Sequence, residues 1–107
     1  MPEYDLIIRN ASIVDGTGAP ARPGDIAVRG DRIEAVGDVT GSAREEIDAR
    51  GHVAAPGFID VHAHDDAAVI RTPQMDFKIM QGVTTDVVGN CGAGVAPASD
   101  AFKSYFN

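Results

Sequence analysis

The residues most able to do chemistry in this sequence are two histidines and a cysteine. His62 and His64 are separated by one alanine, and Cys91 lies between Asn90 and Gly92. Imidazole and thiolate groups are ligands that zinc accepts readily. Histidines two positions apart on a strand share one face and lie about 6.5–7 Å apart. This pattern indicates a metal site, although a His-x-His pair and a buried cysteine also occur as ordinary structural residues.

Several polar residues near this motif have more than one interpretation. Any of the carboxylates Asp60, Asp65 and Asp66 could orient a metal-bound imidazole by accepting its second N–H, or could belong to a polar rim. Asn90 could hydrogen-bond a substrate or shape the turn before Cys91, and the turn is the preferred interpretation. A nucleophilic role for that cysteine is disfavoured, because a metal would compete for it and no independent base is evident. His52 lacks a partner at a useful spacing and is expected to be structural or exposed.

The elements around the candidate site predict a strand–helix–strand unit. A strand is expected from Phe58 to His64, so that both histidines share its face. A helix is expected to start with Thr72 as its N-cap and Pro73 at its first position, and to end at Gly82. A second strand covers residues 83–88. Parallel strands joined in this way place their carboxyl ends together, which is where catalytic groups collect in α/β folds.

The first half of the sequence predicts a small antiparallel sheet. Short apolar runs at 6–8 and 12–15 are followed by alternating segments at 25–28 and 32–36. Between the alternating segments, Gly30-Asp31 supplies the turn chemistry of a tight hairpin. A polar loop at 37–44 precedes a further strand. Pro56-Gly57 marks the change from this strand-rich half to the strand–helix–strand unit.

Composition limits the classes of function. The chain has 107 residues and a formal net charge of −7, which disfavours nucleic acid as a partner. No apolar run approaches the roughly 20 residues of a membrane helix. One cysteine cannot form an internal disulfide, and the acidic start differs from a secretion signal, so a cytoplasmic location is expected. A complete α/β barrel needs about 250 residues, well beyond this length.

Residues 55–64, Ala-Pro-Gly-Phe-Ile-Asp-Val-His-Ala-His, resemble the opening metal motif of the amidohydrolase superfamily. Segments 5–10, 14–18 and 31–37 are similar to the N-terminal arm of the small β-sandwich that such enzymes carry outside their barrel. Within the superfamily, Asp65-Asp66 and the stretch from Gln81 to Gly92 resemble the N-acyl-D-amino-acid deacylases, or D-aminoacylases. The resemblance extends over nearly the whole chain.

The resemblance implies an α/β fold in two parts. Residues 1–55 correspond to the N-terminal part of the small β-sandwich subdomain. Residues 56–107 correspond to the start of the catalytic domain, namely the first βαβ unit of a metal-dependent, TIM-like (β/α)8 barrel that is truncated here. The rest of the barrel, or a complementing chain, is therefore expected to be needed for activity.

The resemblance also implies a reaction, the zinc-dependent hydrolysis of N-acyl-D-amino acids to a carboxylate and a D-amino acid. In that family the cysteine matching Cys91 ligates a tightly bound catalytic zinc together with histidines from later strands. The histidines matching His62 and His64 belong to an adjacent, weaker metal position. The metal polarises the carbonyl and lowers the pKa of a bound water. An aspartate serving as general base and acid is expected beyond Asn107, so none of the residues present is assigned that role.

Two alternatives remain open at this point. Cyclic-amide hydrolases such as dihydroorotases and hydantoinases share the His-x-His motif, but they usually bridge their metals through a modified lysine, and the setting of Cys91 argues against them. The other alternative is a non-catalytic domain that binds a metal or a partner and in which the motif is a relic.

Overall fold

The computed structural model describes residues 1–92 together with residues 94, 97, 99, 100 and 104. The chain divides into two compact units, Met1–Pro56 and Gly57–Asn107. Part of the predicted barrel segment, residues 93, 95, 96, 98, 101–103 and 105–107, lies outside the described residues. In the described part of the chain, no helix has the length and apolar character needed to span a membrane.

The first unit is a five-stranded sheet of mixed direction. Its strands are β1 (Tyr4–Ile13), β2 (Arg22–Arg29), β3 (Arg32–Gly37), β4 (Ala43–Asp48) and β5 (Val53–Ala54). Strands β3, β2, β1 and β4 follow one another across the sheet, and β5 also pairs with β1. The pairs β1–β2 and β2–β3 are antiparallel, and the predicted hairpin turn is confirmed by Gly30, whose φ is 59°.

The predicted antiparallel sheet is confirmed for β1, β2 and β3, and the later strands β4 and β5, whose direction was not predicted, run parallel to β1. After β3, residues 38–42 cross to the other side of β1, where Ala43 pairs with Tyr4. This crossing buries Val39, an apolar residue in a mostly polar loop, against Ile7 and Ala27. β4 then lies beside β1 and runs parallel to it.

The two apolar runs at the start of the sequence form one strand with a bulge. The register of β1 against β2 shifts between Ile8 and Ala11, and Asn10 has a φ of 60°. The backbone N–H of Asn10 donates to Asp25 at 2.9 Å, and its side chain donates to Asp48 at 3.0 Å. The Asp25 carboxylate thus replaces the ladder partner that the bulge removes from the Asn10 N–H, and the bond to Asp48 ties the bulge to the end of β4.

The bulge distributes the core over both faces of the sheet. Ile8 is opposite Ile26, and the same face continues after the bulge with Ala11 and Ile13. Ile7 therefore lies on the opposite face, since neighbouring residues of a strand point to opposite sides. A strand of regular alternation would have put residues 7 and 13 on a single face.

The second unit contains a parallel strand pair joined by helical turns. Its elements are β6 (Phe58–Asp60), α1 (Ala68–Arg71), α2 (Asp76–Ile79), β7 (Val83–Asp86) and a 3₁₀ turn (Asn90–Gly92). β6 pairs with β7 in parallel, with Asp60 opposite Asp86. The expected strand–helix–strand order is thus observed.

Two expected boundaries in this unit are wrong. The first strand ends at Asp60, before either histidine, so the histidines occupy the segment that follows it. Thr72 ends α1 instead of starting a helix, since its backbone N–H donates to Ala68 at 2.7 Å and its hydroxyl donates to the same carbonyl at 3.1 Å. The next helix begins only after Met75, which has a φ of 50°.

Candidate metal centre

The structure brings together the three candidate ligands, His62, His64 and Cys91. One ligand atom from each lies within 4.8 Å of the other two, and all three residues are exposed. The Sγ atom of Cys91 is 3.4 Å from Nε2 of His62. The two imidazole ring centroids are 5.4 Å apart, with their planes inclined at 59°. Three donors of the types preferred by zinc therefore converge at one place.

The distance between cysteine and histidine fits a shared ion. A tetrahedral zinc ion has Zn–S bonds of about 2.3 Å and Zn–N bonds of about 2.0–2.1 Å, which separates S from N by about 3.5 Å. The observed separation between Cys91 Sγ and His62 Nε2 is 3.4 Å. The donor set and its spacing thus fit zinc.

Backbone pairing continues past the ends of the two parallel strands and aligns the histidine segment. The N–H of Val87 donates to the carbonyl of Asp60 at 2.8 Å, and the N–H of Ala63 donates back to Val87 at 3.1 Å. Ala63 is buried, so the side chains on either side of it project away from the interior. The histidines therefore share a direction although they lie outside the strand.

Asn90 holds the turn that carries the cysteine. Its side-chain amide donates to the carbonyl of Ala63 at 3.1 Å and to that of Val87 at 2.8 Å. The expectation that this asparagine shapes the turn is confirmed. Cys91 itself has a φ of 56°, a left-handed conformation that is uncommon for residues other than glycine and that persists only where the surroundings enforce it.

Two interpretations were considered for the three carboxylates, orientation of an imidazole ring and a polar rim, and the contacts of Asp60 and Asp65 differ from both. Asp60 accepts the backbone N–H of His62 at 3.2 Å, so it orients the main chain of the ligand and not its ring. Asp60 and Asp65 both bind the ammonium group of Lys78, at 2.6 and 2.8 Å. Asp66 is only 8% exposed, and its Oδ2 lacks a hydrogen-bond partner among the residues that the structure describes.

Lys78 is the residue of this region that sequence reasoning missed. Besides Asp60 and Asp65, its Nζ lies 3.4 Å from Asp86, at the end of β7. A lysine on a short helical segment usually indicates solvated surface, yet this side chain is 16% exposed. The available signal was the presence of an acidic residue at the end of each parallel strand, because neighbouring carboxylates favour a cation between them.

The ion pairs shift the pKa values of both partners. Hydrogen bonding to Asp60, followed by Asp65, raises the pKa of Lys78 above its ordinary range. The Lys78 ammonium, with the N–H of His62, lowers the pKa of Asp60 below its usual value of 3.8. Both groups therefore stay charged at neutral pH.

His52 does not belong to this group. It lies in the first unit, is exposed, and has its Nδ1 3.3 Å from the carbonyl oxygen of Arg50. The expectation of a structural or exposed histidine is confirmed.

Comparison with protein families identifies the family to which the chain is related. The profile of the amidohydrolase family matches residues 45–106, which include all three converging ligands. The chain belongs to the amidohydrolase family. The resemblance noted at Pro56-Gly57 and in the histidine motif is therefore confirmed.

Three amidohydrolase relatives illustrate the similarity. The N-acyl-D-aspartate deacylase of Alcaligenes xylosoxydans xylosoxydans is 53% identical over 98 residues, which are 91% of this chain and 20% of that protein. A solved D-aminoacylase, described as having a binuclear metal centre with one-metal activation and second-metal attenuation, superposes with a TM-score of 0.87 at 52% identity. That match covers 92% of this chain and 21% of the other.

The third relative is the N-acyl-D-glutamate deacylase of Bordetella bronchiseptica, solved with zinc and a phosphonate inhibitor that mimics the tetrahedral intermediate of the reaction. It is 50% identical with a TM-score of 0.84, and the match covers 89% of this chain and 20% of that one. The chain thus spans about a fifth of the length of the relatives that it matches.

Proposed function

We propose that this chain contributes the first metal ligands of a zinc-dependent N-acyl-D-amino-acid deacylase. The observation that carries the proposal is the convergence of His62, His64 and Cys91 within 4.8 Å. This convergence occurs in a chain that is 53% identical to an N-acyl-D-aspartate deacylase. The reaction is the hydrolysis of a linear amide, which releases a carboxylate and a D-amino acid.

The roles of the three ligands follow from their chemistry. His62 and His64 bind through neutral imidazole nitrogens, and Cys91 binds as a thiolate, so metal binding releases a proton. When bound, zinc supplies Lewis-acid chemistry that polarises an amide carbonyl and lowers the pKa of a water. By the family resemblance, Cys91 would hold one tightly bound zinc and the two histidines an adjacent, weaker position, and the 3.4 Å between Cys91 Sγ and His62 Nε2 would let the thiolate contact both ions. The binuclear centre described for the solved D-aminoacylase supports the presence of two adjacent metal positions.

The chain that carries these ligands belongs to two parts of a larger fold. Residues 1–55 belong to a small β-sandwich, and residues 56–107 open a (β/α)8 barrel with β6 and β7 as its first two strands. The parallel pairing of β6 and β7 supports this assignment. The remaining ligands and a general-base aspartate come from the rest of the barrel or from a complementing chain. A thiolate ligand suits the reducing cytoplasm, which is the proposed location.

Activity measurements test the proposal. The protein is expressed from the whole open reading frame that contains these residues, loaded with zinc, and assayed for amine release from the N-acetyl derivatives of D-aspartate, D-glutamate and D-leucine and of their L-enantiomers. We expect hydrolysis of at least one D-substrate, preference over its L-enantiomer, and loss of the activity in Cys91→Ala. His52→Ala is the matched control and is expected to retain activity.

The same assay separates the alternatives. Ring opening of a hydantoin or dihydroorotate without hydrolysis of any N-acyl-D-amino acid would identify a cyclic-amide hydrolase. Zinc binding without hydrolysis of either class would identify a metal-binding relic. Both outcomes contradict the deacylase proposal.

A further inference from the structure

We propose that Lys78 is a positioning residue of the metal centre, whose ammonium group fixes the segments that carry His62, His64 and Cys91. This inference rests on the proposed metal-binding function of those three residues. It assigns a role to a side chain that belongs to the crossover between the strands and contributes no ligand atom.

The ammonium group of Lys78 lies among three carboxylates, and these four side chains form the lysine cluster. Its Nζ lies 2.6 Å from Asp60, 2.8 Å from Asp65 and 3.4 Å from Asp86. The lysine and Asp86 side chains are each 16% exposed, the Asp65 side chain is 23% exposed, and the Asp60 side chain is 34% exposed. Charged pairs sheltered from water in this way are stronger than ion pairs on an open surface.

Each carboxylate leads directly to a different ligand. Asp60 ends β6 and accepts the backbone N–H of His62. Asp65 is the residue that follows His64 in the sequence. One ammonium group therefore ties both ends of the histidine segment.

The third carboxylate, that of Asp86, connects the lysine cluster to the segment that carries the cysteine. Asp86 ends β7, and the chain continues from it through Val87 to the turn at Asn90. The N–H of Val87 donates to Asp60, and the Asn90 side chain donates to the carbonyl of Ala63. A displacement of Asp86 would thus be transmitted to Cys91 through bonded neighbours.

Charge explains why a cation is required at this point. Three carboxylates surround one ammonium group, so the cluster keeps a net negative charge even with the lysine present. Without the ammonium the carboxylates repel one another, and the ends of β6 and β7 separate. The negative charge that remains also favours a divalent cation nearby.

The test compares metal binding in three variants of the protein expressed from its whole open reading frame. Lys78→Met removes the charge, Lys78→Arg keeps it, and Arg71→Met is a control that removes an exposed cation of α1. Zinc affinity is measured by competition with a chromophoric chelator. The apoprotein is then loaded with cobalt(II), and the thiolate-to-cobalt charge-transfer band of Cys91 is recorded.

We expect Lys78→Met to weaken zinc binding about 10- to 100-fold, as is typical for groups that orient metal ligands, and to weaken or shift the charge-transfer band. Lys78→Arg is expected to recover most of the affinity and the band. Arg71→Met is expected to match the parent protein within about twofold. A purely structural lysine would alter the melting temperature but leave the spectrum of the folded, loaded protein unchanged.

Two different results would overturn the inference. If Lys78→Met binds zinc and cobalt as the parent protein does, the lysine does not position the site, and the proposed function is unaffected. If the cobalt-loaded parent protein shows no thiolate band, or if the band persists in Cys91→Ser, Cys91 is not a metal ligand. The proposed metal site is then refuted, and this inference is refuted with it. Should Lys78→Met not fold, Asp65→Asn is measured in its place. We expect it to bind zinc at least threefold more weakly than the parent protein. Unchanged zinc binding in Asp65→Asn would overturn the inference.

Discussion

The Sγ atom of Cys91 lies 3.4 Å from Nε2 of His62, although 29 positions separate the two residues in the chain. The proximity arises because β6 and β7 are parallel neighbours, so the residues that follow each strand meet at the same edge. Hydrogen bonds from Val87 to Asp60 and from Ala63 to Val87 extend the alignment beyond the strands. The site is thus a consequence of strand pairing together with the turn at Asn90.

Removal of the Asn90 amide is expected to loosen the cysteine without unfolding the unit. Asn90→Ala loses hydrogen bonds to the carbonyls of Ala63 and Val87, which brace the turn that holds Cys91 in its left-handed conformation. We expect zinc affinity, measured by chelator competition, to fall about tenfold or more. Gln81→Ala is the matched control, because its amide also donates to a backbone carbonyl, that of Phe77. Equal affinities for the two variants would contradict this role for the asparagine.

The first unit is expected to depend strongly on Ile7. This side chain is fully buried and packs with Ala27 and Val39. Ile7→Ala removes apolar contacts and leaves a cavity, so the free energy of unfolding should fall by about 2–5 kcal/mol in denaturant titrations. Ile33→Ala is the control, since Ile33 is 67% exposed, and its cost should stay below about 1 kcal/mol. Equal losses for the two would mean that the cluster around Ile7 is not a core.

Gly57 is expected to be required for the close approach of β6 to β7. A Cβ atom at this position would meet Oγ1 and Cγ2 of Thr84 and would lie 2.7 Å from its Cβ. Gly57→Ala should therefore destabilise the second unit by about 1–3 kcal/mol, measured by chemical denaturation. In a double-mutant cycle, Thr84→Gly should recover most of that loss. Additive effects of the two substitutions would show that the contact is not the cause.

Sequence patterns predicted the presence of elements better than their boundaries. The hairpin at Gly30-Asp31 was predictable because its turn residues are local signals. The direction of β4 was not, since the segment before it crosses to the far side of β1 and packs Val39 against residues distant in the sequence. The helix start at Thr72 was wrong because a threonine hydroxyl can also bond the carbonyl four residues earlier, here that of Ala68.

The metal ligands of the candidate site could be predicted from the sequence, but the residues that hold those ligands in place could not. His62, His64 and Cys91 follow from spacing and resemblance, and the structure brings them together. Lys78 could not be found in this way, because its role depends on which carboxylates the fold brings around it. Supporting residues are defined by tertiary contacts, whereas ligands are marked by their chemistry.

Acid is expected to weaken the first unit through the ion pairs of Arg9. The guanidinium lowers the pKa of Glu46 below its usual 4.5, and the N–H of Asn10, followed by Arg9, lowers that of Asp25 below its usual 3.8. Lowered folded-state pKa values stabilise the fold above the unfolded pKa, and this stabilisation is lost as the pH falls through the folded pKa.

The measurable quantity is the stability difference between the parent protein and Arg9→Met. This difference should be constant at neutral pH and should shrink as the pH falls below about 4.5, where Glu46 begins to take up protons in the unfolded state. Arg32→Met, which removes an exposed cation of β3, should give a small difference with little dependence on pH. A difference for Arg9→Met that stays constant into strong acid would refute the assignment of these ion pairs.

The most direct test of the account is X-ray absorption at the zinc edge, on the zinc-loaded protein and on Cys91→Ser. We predict one sulfur at about 2.3 Å and nitrogen ligands at about 2.0–2.1 Å, with the sulfur contribution absent from the variant. His52→Ala should give the parent spectrum. A spectrum of oxygen and nitrogen ligands alone, or a sulfur contribution that persists in Cys91→Ser, would contradict a zinc centre built on His62, His64 and Cys91.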